Sequence, residues 1–255
     1  MRILLAAFNK RIAEELNARI AAGWRLTADP SQQQADIFDA ILNRREHLVV
    51  RARAGTGKTS TIVEAVQRVP DAEIVAKTLH AIGFGCVRRF WSDMRVGSGS
   101  DRADDLANRA CGQLAPDVIK RLVAKLHTKG REIAPHAAKM GDLTDLLYHF
   151  ECDPDEGWEA DGYDAAYVER HALEVMDLAA KEKPVRTGID FADMIFLPMR
   201  NRWLRPAYDM VVVDEAQDMT VAQLEIARGV CRPDGRLVVV GDDRQAIYGF
   251  RGADS

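Results

Sequence analysis

Cysteine is scarce in this sequence: Cys86, Cys111, Cys152 and Cys231 are the four in 255 residues, and no two form a C-x-x-C pair. A disulfide framework or a zinc site is therefore not expected, and the four read as buried free thiols. Long apolar runs are missing as well. No stretch approaches the roughly 20 residues of a membrane span. Ile3–Phe8 is too short for a signal segment, and Asn9-Lys10-Arg11 follows it in place of a small-residue cleavage site. The expectation is a cytoplasmic protein without membrane contact. Positive charge is not in excess either: 35 Lys and Arg against 39 Asp and Glu leave a net charge of −4. That argues against wholesale phosphate coating but leaves room for a local basic groove. Internal repeats and low-complexity segments are also lacking. At 47% hydrophobic residues and so small a net charge, the chain is not disordered. Its length allows one large domain or two modest ones.

What is present is an alternation of short apolar runs and helical periods. Residues 2–8 (RILLAAF) form an apolar run, and Ile12, Leu16 and Ile20 then recur at helical spacing until Gly23. A cap-like cluster at 27–31 opens a helix over Gln32–Leu42. His47–Arg51 reads as a strand running into a Gly-rich turn and a helix over Lys58–Arg68, and Ile74–Ala76 as another strand. From Val87 to Val185 the texture changes to short helices joined by polar turns such as 97–101 (GSGSD). Beyond it, Ile189–Met199 and Ala222–Arg228 read as helices, and Met210–Val213 and Leu237–Val240 as strands. Apolar strands without alternation, separated by helices, indicate a parallel sheet covered on both faces.

Three segments carry chemistry. In Ala52-Arg53-Ala54-Gly55-Thr56-Gly57-Lys58-Thr59 a strand enters and a helix leaves, the context that a phosphate-binding loop requires. The backbone N–H groups of Ala54, Gly55, Thr56 and Gly57 would close around the phosphates at a helix N-terminus. Lys58 would reach the β- and γ-phosphates of ATP, and the Thr59 hydroxyl would ligate Mg²⁺. Ala52 stands where the strict pattern has Gly. The second segment is Val211-Val212-Val213-Asp214-Glu215-Ala216-Gln217-Asp218, a strand that puts two carboxylates at the sheet's carboxyl edge. Asp214 would hold the Mg²⁺, and Glu215 would orient or deprotonate the attacking water. Alone, this pair would equally suit a helix N-cap with a solvated face; the phosphate loop upstream favours the metal reading. The third segment is GDDRQAIYGFRGA at 241–253. Its Gln245 would sense the γ-phosphate, and Tyr248 and Phe250 alternate with small residues like a platform for stacked bases.

These three segments, in this order, resemble the N-terminal half of a UvrD/Rep-like superfamily 1 DNA helicase. The resemblance implies an α/β fold: a RecA-like P-loop NTPase with a parallel sheet and an inserted helical subdomain. It implies motor-domain segments at 1–86 and 187–255 and an insertion at 87–186. Gln32, in PSQQQADIF, resembles the family's adenine-reading glutamine, and Ile189–Met194 (IDFADM) resembles the segment preceding the acidic strand. Ala7-Phe8-Asn9-Lys10 and Thr78-Leu79-His80 resemble segments that meet single-stranded DNA. By that resemblance Phe8 and Phe250 would stack on bases, Asn9, Thr78 and Tyr248 would also contact DNA, and His80 would touch its backbone. Gln217 would link nucleotide state to the DNA site, and Arg251 would brace the acidic motif. The expected activity is ATP-dependent movement on single-stranded DNA or at DNA junctions, in the 3′→5′ direction usual for the family, with ATP and Mg²⁺ as cofactors.

Two features depart from the family pattern. The AFNK segment, which in the family follows the phosphate-loop helix, stands here at the N-terminus. Either its strand fills the usual slot and a longer crossing reaches the next strand, or the coding order itself has been altered. The chain also ends after the third segment, so a second motor domain, with its charge-stabilising arginines, is expected from elsewhere, in trans if need be. Two rivals follow: an ATP- and DNA-binding module that does not unwind, and a phosphate-loop kinase or other small-molecule NTPase.

Overall fold

Five strands of the described residues join in one sheet: β1 (Arg2–Ala7), β2 (Leu48–Arg51), β3 (Glu73–Thr78), β4 (Tyr208–Val213) and β5 (Cys231–Gly241). The structure is a computed structural model that describes residues 1–53, 57–97, 99–184 and 187–242, with the backbone alone at 99–101. The strand order is β2-β5-β4-β1-β3, and every pairing is parallel. The first helices are α1 (Lys10–Ala21), α2 (Gln32–Asn43), α3 (Lys58–Gln67), α4 (Leu79–Phe90) and α5 (Gly99–Cys111). They are followed by α6 (Asp117–Ile133), α7 (Thr144–His149), α8 (Ala165–Lys181), α9 (Phe191–Arg200) and α10 (Val221–Val230). This is the α/β, all-parallel architecture of a RecA-like motor domain. Val211, Val212 and Val213 of β4 are fully buried, as a strand covered on both faces requires.

The chain divides inside α4 into two compact units: Met1–Ile82 with the chain from Leu204 onward, and Gly83–Trp203. In the sheet unit, β1 lies between β4 and β3, with Ala6 opposite Val213 and Ala7 opposite Thr78. The chain leaving β2 at one edge of the sheet re-enters at β3 on the other. Four inter-strand steps of about 4.8 Å make that crossing about 19 Å wide. The ten residues of α3 rise about 15 Å, and the link through 68–72 supplies the rest. Helix starts are fixed locally: Asn9 caps α1, and Ser31–Gln34 and Thr220–Gln223 form capping boxes for α2 and α10.

The helical unit has its own apolar core, to which Val123, Leu126, Leu147, Val175, Met176 and Phe196 contribute. Trp91 meets Trp203 edge-on at 5.2 Å, and Phe90 stacks on Trp203 at 4.6 Å. The segment expected to be helical from Ile189 starts its helix at Phe191, because Asp190 is the N-cap and makes a capping box with Asp193. Both carboxylates also take up Arg131 of α6. Its guanidinium donates to Asp190 at 2.8 and 2.9 Å and to Asp193 at 2.7 Å, while Arg102 of α5 pairs with the other Asp193 oxygen. Arg102, Arg131 and Asp193 are at most 4% exposed, so these ion pairs fasten α9 to α5 and α6 within this unit. Beside them lies His127, fully buried, with neither ring nitrogen hydrogen-bonded.

Candidate nucleotide site

The carboxyl ends of the strands bring the sequence motifs together. Gly57 has φ +73°, a left-handed conformation natural to glycine, and releases the chain into α3. Lys58 and Thr59 therefore stand in the first helical turn, and the end of β4 lies across β5 from the strand they follow. There the Thr59 hydroxyl donates to Asp214 Oδ2 at 2.6 Å, and Lys58 Nζ lies 3.1 Å from Glu215 Oε2. Glu215 is itself left-handed, at φ +52°, a conformation that costs a non-glycine residue about 1 kcal/mol or more. The turn brings its N–H to Asp214 Oδ1 at 3.0 Å. Asp214 is 6% exposed; burial pushes its carboxyl above the usual range, and the Thr59 hydroxyl works the other way.

This donor set fits a divalent cation. A buried carboxylate whose desolvation is only partly relieved by the Thr59 hydroxyl and the Glu215 N–H gains from a positive charge shared between Asp214 and Thr59. Among the described residues no three His, Cys, Asp or Glu side chains converge on one point. Asp214 and Thr59 would hold Mg²⁺, an ion that usually keeps water and phosphate oxygens as its other ligands.

Gln217 ties the acidic turn to the neighbouring strand. Its Nε2 donates to Glu215 Oε2 at 2.7 Å, and its Oε1 accepts from the Asp242 backbone N–H at 3.0 Å. A Cβ at Gly241 would lie 2.8 Å from that Oε1, so glycine is what lets the amide sit against β5. A chain of contacts thus runs from Lys58 through Glu215 and Gln217 to the end of β5.

Two cavities flank the first turn of α3. One of about 740 Å³ is walled by Gln33, Gln34 and Asp36 of α2, by Arg51 and Arg53, and by Lys58, a size and charge suited to a nucleotide. Gln32 is exposed, and its Nε2 donates to Asp36 Oδ1 at 2.8 Å. Asp36, not Gln32, reaches the cavity wall. The other cavity, about 270 Å³, is bounded by Lys58, Thr59, Asp214 and Glu215 and, from α1, by Glu15 and Arg19. Arg19 donates to Ser60 Oγ at 3.0 Å. The motif reading missed this pair; the available signal was that both lie on the helical stripe of Ile12 and Leu16, which faces inward.

Of the residues expected at DNA, Phe8 is half-buried beyond the end of β1, and the Asn9 side chain caps α1 by accepting from Ile12 N–H at 3.0 Å. Thr78 ends β3 and its hydroxyl accepts from Ala81 N–H at 3.1 Å, with His80 in the first turn of α4. All four stand at the same sheet edge as Asp214 and Glu215. Ala54, Gly55, Thr56, Gln245, Tyr248, Phe250 and Arg251 lie outside the described residues.

The family described as UvrD/REP helicase N-terminal domain matches residues 71–255. That match begins at the link between α3 and β3, so β2, Gly57, Lys58 and Thr59 stand on their geometry. ATP-dependent DNA helicase Rep of Escherichia coli (strain K12) is 28% identical over 259 residues, 88% of this chain and 37% of that protein. DNA helicase II of the same organism is 26% identical over 255 residues, 84% and 34% of the two chains. F-box DNA helicase protein 1 of Schizosaccharomyces pombe is 24% identical over 270 residues, 88% and 29%. The chain spans about a third of the length of these relatives. With most of its length matched, and the site built where the parallel sheet ends, the chain belongs to the UvrD/REP helicase N-terminal domain family.

Proposed function

We propose that this chain is the ATP-hydrolysing motor domain of a UvrD/Rep-type DNA translocase that moves 3′→5′ on single-stranded DNA. The observation that carries the reading is the pair of contacts Thr59–Asp214 and Lys58–Glu215 at one sheet edge. Mg²⁺, when bound, would neutralise negative charge on the phosphates. Thr59 and Asp214 would hold it, and Gln32 reads the adenine edge once its amide leaves Asp36. Lys58 exchanges Glu215 for phosphate oxygens as the triphosphate enters. Glu215, freed from Lys58 and steadied by Gln217, takes a proton from the attacking water. The new P–O bond forms at the γ-phosphorus as its bond to the ADP oxygen breaks.

Phe8, Asn9, Thr78 and His80 form the DNA-facing half of the same edge; in this reading Tyr248 and Phe250 also contact DNA and Gln245 senses the γ-phosphate. A second motor domain, in trans or in a longer chain, supplies the arginine that stabilises the transferring phosphate, an effect of about 10³–10⁵ in rate. DNA junctions and single strands are the substrates of this reading, and the cytoplasm is its setting. No helix among the described residues is long and apolar enough to cross a membrane. The test is ATP turnover with and without single-stranded oligonucleotide. Stimulation supports the reading, whereas a protein with no oligonucleotide affinity would instead be a small-molecule phosphate-loop enzyme.

A further inference from the structure

An ATP site needs two halves at a fixed separation: the first turn of α2, which carries Gln32, and the first turn of α3, which carries Lys58 and Thr59. One side-chain bond joins these turns directly. Gln34 Nε2 donates to Thr61 Oγ1 at 3.0 Å. Each end of the bond is oriented by a second partner. Gln34 Oε1 accepts from Ser31 N–H at 2.9 Å, so the amide turns its nitrogen toward α3. The Thr61 hydroxyl donates to the Gly57 carbonyl at 2.9 Å, so it meets Gln34 as an acceptor.

Helix capping does not account for this arrangement. The capping box uses only the oxygen of the Gln34 amide, and a glutamate would serve it equally. Nor does packing require the hydroxyl: Thr61 is 2% exposed, and valine has the same shape without a polar group to satisfy. Gln34 and Thr61 both line the 740 Å³ cavity, alongside Lys58. The bond therefore crosses the wall between the base-reading and phosphate-binding elements.

We propose that Gln34 and Thr61 are positioning residues, a latch that sets the distance from the base-reading turn of α2 to the phosphate-binding turn of α3. The proposal rests on reading this site as an ATP site. Breaking the latch leaves Lys58, Thr59 and Asp214 with their own bonds, so the phosphates are still held. What is lost is the alignment of the first turn of α2 with a base whose phosphates are already fixed.

The experiment is calorimetric titration of the full chain with ATP and with inorganic tripolyphosphate, both in excess Mg²⁺, at a temperature where circular dichroism shows every variant folded. Thr61→Val and Gln34→Met should each weaken ATP binding by about five- to tenfold, the worth of one partly buried hydrogen bond. Tripolyphosphate binding should stay within about twofold, the double variant should lose no more than either single one, and Thr61→Ser should bind ATP like the wild type. Unchanged ATP affinity in Thr61→Val and Gln34→Met would overturn the latch. So would an equal loss for ATP and tripolyphosphate, which would make the bond a general support of the loop. Lys58→Ala should weaken both ligands; if it weakens neither, the ATP reading itself fails, whatever the latch does.

Discussion

Replacing Gly241 by alanine probes the catalytic turn without touching any group that reacts. The added Cβ would stand 2.8 Å from Gln217 Oε1 and 3.4 Å from the Gln217 nitrogen. The first distance is some tenths of an ångström inside ordinary contact, so the amide must retreat. Gln217 cannot retreat freely, because the same amide holds the Asp242 N–H at one end and Glu215 Oε2 at the other. Losing its hold on the Glu215 carboxylate removes a charge-assisted hydrogen bond of about 1.5–3 kcal/mol. If that bond steadies Glu215 while it accepts the proton, kcat falls by about 10- to 150-fold at 1.36 kcal/mol per decade. ATP affinity, carried by α2, α3 and Asp214, should change by less than about threefold. The assay is steady-state ATP turnover beside nucleotide titration and a thermal melt. A folded Gly241→Ala protein with wild-type kcat would refute the assignment of Gln217 as the group that positions Glu215.

Two further outcomes concern the helical unit. Asp193→Ala leaves Arg131 and Arg102 buried against one carboxylate fewer and should lower unfolding free energy by about 3–5 kcal/mol. A loss below about 1 kcal/mol in chemical denaturation would mean that the ion pairs do not hold α9. Burial, with Arg131 and Arg102 adding to it, keeps the His127 imidazole well below its ordinary 6.5. The unfolded chain therefore binds a proton that the folded one refuses. Its share of stability is intact above pH 6.5 and falls as pH drops below that, by up to about 1.4 kcal/mol per unit. His127→Leu should remove that share of the slope and raise the melting temperature, since the leucine leaves no ring nitrogen unsatisfied; an unchanged pH profile would refute it.

Much of the site was legible because its chemistry is local. Val211–Val213 followed by two acids reads as a strand with carboxylates at its end once a phosphate loop stands upstream. Gly57 before Lys58 and Thr59 announces a left-handed residue opening a helix. What was not legible depends on packing between elements distant in the chain. Nothing in Ile189–Met194 tells that Asp190 and Asp193 face Arg131, so α9 read as part of the sheet unit. The strand expected at Leu237–Val240 is longer in the structure: β5 starts at Cys231 and runs through Pro233, Asp234 and Gly235, with a shift of register between Tyr208 and Met210. Gln34 and Thr61 look like the third glutamine in a run and a helical threonine; their bond exists only because α2 lies against α3. Glu15 and Arg19 belong to no motif, although their helical stripe puts them at the cavity beside Asp214.

The most direct measurement is steady-state ATPase activity of this chain with and without single-stranded DNA, beside Lys58→Ala and Glu215→Gln. Slow turnover that DNA stimulates and that both substitutions abolish is expected, because one removes the phosphate-binding cation and the other the proton acceptor. Nucleotide binding with no turnover above background, DNA present or absent, would contradict it and leave an ATP- and DNA-binding module in place of a motor.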